Sequence, residues 1–160
     1  MNIKTIVANG ILAALYIAIT ATIAPFAFGP VQFRIPEMFN HLIVFNKKYM
    51  YGIILGVFLS NLFFSPMPLD ILFGTAQSLI ALLITIGAMR YVKNIWARMM
   101  INTVVFTFTM FIIAWELNIV MGWPFLFTWL TTAAGEFAVL LVGAPIIYAI
   151  HKRVNFEKLV

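Results

Sequence analysis

A chain of 160 residues that is 64% hydrophobic and 9% charged, with a mean hydropathy of +1.05, cannot keep a polar face on each helix, which excludes a water-soluble bundle. Having no cysteine, it also lacks disulfides, thiolate metal sites and thiol redox chemistry. The net charge of +5 sits at the ends of apolar runs, where membrane topology accounts for it, so no nucleic-acid partner is implied.

The first run, residues 6–28, follows Lys4. It is too long for a signal-peptide core and has no alanines two apart for cleavage, so a retained helix over 5–27 is expected. Gly10, Ala14 and Ala18 recur every four residues, with Ala13 and Ala21 adjoining, the small-xxx-small pattern that lets helix backbones approach closely. Then comes "PVQFRIPEMFNH", residues 30–41, where Gln32, Arg34, Glu37, Asn40 and His41 crowd into an otherwise apolar chain. A second helix over 36–46 begins at Pro36, a suitable first-turn residue. As an α-helix it covers only about half of a ~30 Å hydrocarbon core, and His41 is placed near the interface.

The third helix, 49–64, repeats the small-residue device in Gly52, Gly56 and Ser60. The fourth, 70–90, starts at Asp70, which suits a cap, and aligns Asp70, Gly74 and Gln77 on one face. The fifth, 97–119, aligns Thr109, Ile112 and Glu116; the sixth, 124–150, aligns Trp129, Thr132 and Glu136. The expected fold is all-α, a single domain over 1–160, polytopic, with six transmembrane helices of which the second is short.

Six spans put Lys4, Lys47, Lys48, Arg90, Lys93, Arg98, Lys152, Arg153 and Lys158 on one side, nine of the ten basic residues. By the positive-inside rule both termini are cytoplasmic. Trp96 on the inner side and Trp115 and Trp123 on the outer fit aromatic belts. Arg34 alone lies on the outer side. Of the acids, Glu157 belongs to the tail, Glu37, Asp70 and Glu116 lie toward the outer face, and Glu136 lies deep in its helix. A charge at that depth costs about 2.5–3.5 kcal/mol on insertion scales and faces a cavity or a partner.

These stripes, with Arg34, Glu37 and Asn61, define one outward-facing site. Its predicted substrate-binding residues are Arg34, Glu37, Asn61, Asp70, Gln77, Trp115, Glu116, Trp129 and Glu136. Four acids against one arginine suit a small ligand with cationic or N–H donor character, because a carboxylate accepts two parallel hydrogen bonds from an amidine-like edge. Trp115 or Trp129 is available to stack on a flat ring. No phosphate loop, HExxH, CxxC or GxSxG is present, so neither an enzyme nor a metal or other cofactor is expected. Energy for uphill transport must come from ions or from another subunit.

Three stretches carry a family likeness: "GPVQFRIPE" at 29–37, "NLFFSPMPLDILFGT" at 61–75 and "GEFAVLLVGAPI" at 135–146. In order and spacing they resemble the QueT family, queuosine-precursor S components of energy-coupling-factor (ECF) transporters. The resemblance implies a six-helix, lipid-embedded subunit that captures its small-molecule substrate outside and associates with a T subunit and two ABC-type ATPases, toppling to release it inside. It assigns Ala14 and Ala18, beside Gly10, to docking on the T subunit, and a deazaguanine, in some cases with an aminomethyl arm, to the site. Glu136 or Glu37 would then take the base edge, Asp70 or Glu116 the amine, and Trp129 would stack. Pro36 departs from the serine expected in the first motif, which leaves the precursor open. The rival readings are an S component for another flat vitamin-like micronutrient and an ion-coupled secondary transporter with Glu136 as proton carrier.

Overall fold

The computed structural model describes residues 2–160, and among these six α-helices and four short 3-10 segments form the chain, with no strand. The helices are α1 (Ile3–Ala27), α2 (Met50–Phe64), α3 (Asp70–Ala88), α4 (Ile95–Thr109), α5 (Phe111–Met121) and α6 (Phe125–Val154). Four stretches are long and apolar enough to cross a membrane: Ile3–Ala27, Asp70–Tyr91, Ile95–Met121 and Phe125–Val154. Their outward faces carry Phe26, Leu72, Val104 and Leu126, each exposed, as expected where lipid rather than water is the solvent. The protein is a multi-pass membrane protein.

The α1 helix begins at Asn2, whose side-chain oxygen accepts from the Thr5 N–H at 2.8 Å and so satisfies one otherwise unpaired donor. It packs most closely on α2. There the stripe Gly52, Gly56 and Ser60 is consumed: a Cβ on Gly52 would meet the Asn9 carbonyl oxygen at 2.7 Å, and one on Gly56 would meet Tyr16 Cβ at 2.7 Å. The Asn9 side chain also accepts the Gly52 N–H at 2.6 Å. Gly10, Ala14 and Ala18 lie on the other face of α1 and are exposed. Of the two small-residue stripes, the one on α2 is internal packing and the one on α1 faces outward.

The short second helix differs from expectation. Ile35–Val44 is a 3-10 helix of ten residues, at about 2.0 Å rise per residue roughly 20 Å long rather than the ~15 Å of an α-helix. It touches α1, α2, α3, α4 and α6, so it is the filling of the bundle and not one of its walls. Three residues per turn stack its side chains in columns. Asn40 therefore stands over Glu37 and hydrogen-bonds its Oε2, while Met38 and His41 face Gly143 of α6. His41 is fully buried, not interfacial. Its Nε2 donates to the Leu140 carbonyl at 2.9 Å and its Nδ1 accepts from Asn102 at 3.3 Å.

The predicted fifth helix is divided at Met110. Side-chain donors intrude on the ladder there: the Thr109 hydroxyl donates to the Phe106 carbonyl at 3.0 Å, and the Trp129 indole N–H to the Phe108 carbonyl at 3.1 Å. Donors of this kind interrupt and redirect a helix.

Basic residues from separate segments gather at one end of the bundle. Lys4 and Lys158 line one groove, and Lys47, Arg90 and Arg98 line another. The C-terminal segment folds back over this end, with the Tyr49 hydroxyl donating to the Phe156 carbonyl at 2.8 Å and Phe45 stacked on His151 at 3.9 Å.

Candidate functional site

Residues 28–34 join α1 to the 3-10 helix and turn inward. The Thr131 hydroxyl donates to the Pro30 carbonyl at 3.2 Å, and the Val31 carbonyl presses on Gly135, where any Cβ would collide with it. Glycine is required at 135 for this close approach, which sets the segment against the turn of α6 that carries Glu136. Gln32 follows, fully buried and with φ of 54°. A non-glycine residue in that region costs on the order of 1–3 kcal/mol, and such strain collects at functional sites.

Arg34 is buried, and its guanidinium is shared among three elements. Its Nε donates to the Ala27 carbonyl at 3.2 Å, its Nη1 approaches Asn61 Oδ1 at 3.5 Å, and its Nη2 lies 3.9 Å from Asp70 Oδ1. The plane also sits 4.8 Å over the Phe28 ring. Asn61 in turn donates to the Asp70 backbone carbonyl at 3.0 Å, and Gly74 leaves space for the Asn61 amide. Ser65 hydrogen-bonds Asp70 Oδ2. The polar residues of the second motif thus hold one another and the single internal cation. Replacing Arg34 with Met strands a fully buried Asp70 without its counter-charge. A loss of about 3–5 kcal/mol is expected, read as a lower denaturation midpoint, with Asp70→Asn on that background recovering part of it.

Three further acids are engaged or free according to their neighbours. Glu37 Oε1 accepts from the Tyr16 hydroxyl of α1 at 2.6 Å, and Oε2 is taken by Asn40. Glu116 is fully buried on α5, carboxyl against carboxyl with Asp70 and within electrostatic reach of Arg34, and neither of its oxygens meets an N–H or hydroxyl donor among the described residues. Glu136, 2% exposed, stands within reach of Glu37 and Arg34, and its Oε1 is likewise unpartnered. Buried polar atoms are seldom left this way, and a carboxylate so placed is a ready acceptor for a donor-rich ligand.

The structure therefore brings together Arg34, Glu37, Asn61, Asp70, Glu116 and Glu136. Gln77, two turns along α3 from Asp70, is spent on packing, its amide N–H donating to the Thr109 hydroxyl at 3.0 Å while Ser78 donates to its carbonyl at 3.2 Å. The two tryptophans stand apart. Trp115 is 54% exposed and meets Phe73 edge-on at 6.1 Å. Trp129 belongs to an aromatic cluster with Phe108, Phe111 and Phe125, and with its indole N–H committed it ties α6 to α4. Local spacing placed both rings on the right helices, but the direction each ring takes is set by its neighbours.

Sequence reasoning missed Tyr16, which no polar motif marks, and passed over Gln32. The signal for Gln32 was available in its position two residues before Arg34. Its buried amide, with neither atom partnered, emerges only once α6 closes over the loop.

The family model described as QueT transporter matches residues 6–152. A relative from Lactococcus lactis subsp. cremoris, named as the queuosine precursor transporter QueT, is 37% identical over 164 aligned residues, covering 96% of this chain and 95% of the relative. No solved structure matches the chain.

Proposed function

Because the chain belongs to the QueT transporter family, we propose that it is the substrate-binding membrane subunit of an ECF-type importer that captures a queuosine precursor, a deazaguanine with or without an aminomethyl arm. Glu116 and Glu136 carry this reading. They are buried carboxyls within electrostatic reach of an arginine already paired with Asp70, and no N–H or hydroxyl donor meets Glu116 or Glu136 Oε1 among the described residues, so the site offers acceptors to a ligand rich in N–H donors. A guanine-type ring presents two parallel N–H groups to Glu136, the bidentate geometry that carboxylates favour. An aminomethyl ammonium lies well beside Glu116 and Asp70, where four acids face one guanidinium. Glu37, with both oxygens used by Tyr16 and Asn40, positions the 3-10 helix, and neither tryptophan is needed for stacking.

In this reading the chain crosses the membrane six times, with the basic end of the bundle and both termini in the cytoplasm. Substrate enters from the opposite side. Gly10, Ala14 and Ala18 form the contact with a T subunit, and ATP is hydrolysed by two partner ATPases, the chain itself being no enzyme. The purified protein should bind at least one of queuine, the aminomethyl deazaguanine and the cyano deazaguanine in a calorimetric titration, and unrelated vitamins should not compete. A protein that binds none of the three but takes up another flat vitamin overturns the substrate assignment. Uptake that persists after a Walker-motif mutation in the companion ATPases overturns the importer assignment in favour of ion coupling.

A further inference from the structure

The acids of the site have partners or a proposed ligand to bind, whereas Gln32 has neither. Its side chain is fully buried, and both Nε2 and Oε1 lack a partner among the described residues. The backbone around it is held on both sides. The Gln32 N–H donates to the Gly29 carbonyl at 3.0 Å, the Gln32 carbonyl accepts from the Arg34 N–H at 2.9 Å, and the Phe33 N–H donates to the Phe26 carbonyl at 3.2 Å. With the Val31 carbonyl pressed on Gly135, the loop holds the backbone of residue 32 next to the turn of α6 that bears Glu136 and two residues before Arg34.

The free groups of the cluster are unbalanced. The unpartnered oxygens of Glu116 and Glu136 can only accept from a ligand when ionised. The Arg34 guanidinium is turned to Ala27, Asn61 and Asp70. Beside the charged Arg34 Nη2, which lies 3.9 Å from Asp70 without a hydrogen bond, the amide Nε2 of Gln32 is an uncommitted neutral donor in this loop. A ring carrying N–H groups and a carbonyl needs acceptors for the former and a donor for the latter, and acids alone meet half of that need.

We propose that Gln32 is a specificity-determining residue of this site, donating its Nε2–H to the ring carbonyl of the ligand while Glu136 accepts from the adjoining N–H groups. The assignment rests on the proposed deazaguanine reading and adds to it the group that recognises the oxo position. A buried amide whose partner arrives with the ligand has a distinctive consequence: its removal harms the complex and not the ligand-free protein.

The test uses Gln32→Leu and Gln32→Glu in the full-length protein, with titration of the aminomethyl deazaguanine and thermal unfolding without ligand. Gln32→Leu should weaken binding about 10-fold or more, the loss of one well-placed hydrogen bond, with the ligand-free melting temperature unchanged or raised. Gln32→Glu, which replaces the donor by an acceptor facing a carbonyl, should weaken binding at least as much as the leucine. Binding by Gln32→Leu equal to wild type, or Gln32→Glu binding as well as wild type, overturns the assignment. So does a parallel fall in binding and ligand-free melting temperature in the leucine variant, which marks a structural role. Wild-type protein that binds no deazaguanine defeats the functional reading, and the assignment falls with it; wild-type binding that survives Gln32→Leu defeats the assignment alone.

Discussion

Glu136→Gln is expected to weaken binding of the deazaguanine by about 30- to 100-fold while leaving the protein folded. A hydrogen bond to an ionised group contributes about 1.5–3 kcal/mol, each 1.4 kcal/mol is roughly tenfold in affinity, and a bidentate contact sits at the upper end of that range. Substitution by glutamine keeps the volume, so α6 still packs against the 3-10 helix. It replaces one acceptor by an N–H that opposes the ligand's own donors. The acid has no hydrogen-bond partner at Oε1 among the described residues, and glutamine introduces no charge for burial to penalise. The ligand-free variant should therefore melt no lower than wild type. Titration and thermal unfolding of the same preparation check both halves. Wild-type affinity in Glu136→Gln removes this acid from the site.

Ala14→Leu combined with Ala18→Leu is expected to leave substrate binding by the isolated subunit within about twofold and to reduce transport by the assembled complex to background. Both alanines are exposed on α1, where leucine side chains extend into lipid at little cost but hold a partner backbone away. Tyr16 lies about 200° around the helix from each. It points inward, where it packs on Gly56 and donates to Glu37. The two faces of α1 thus separate docking from binding. Uptake assays and co-purification with the partner subunits measure the effect. Normal transport by the double variant shows that this face is not the contact.

The membrane class, the approximate limits of the long helices and the internal placement of the four acids were determined by the sequence. Apolar runs, breakers and charges are local features, and the partition of a helix into lipid depends mainly on its own composition. The small-residue stripes were also visible, but not their use. Gly52 and Gly56 are internal because α1 presents Asn9 and Tyr16 to them, whereas Ala14 and Ala18 meet no such neighbour.

Only the tertiary structure decided which polar groups are spent. Arg34 pairs with Asp70 rather than with Glu37, three residues on in the chain, because the loop carries it to the start of α3. Glu37 is satisfied by Tyr16, 21 residues away, and by Asn40 one 3-10 turn on, a stacking that α-helical spacing does not give. Glu116 and Glu136 are left as open acceptors, and Gln32 as an open donor and acceptor. The reason is physical: hydrogen bonds in a lipid-embedded bundle are settled by which elements meet, and the element at the centre took a helical form set by five packed neighbours rather than by its own propensity. Sequence placed the acids in the membrane; packing determined which of them remain available to a ligand.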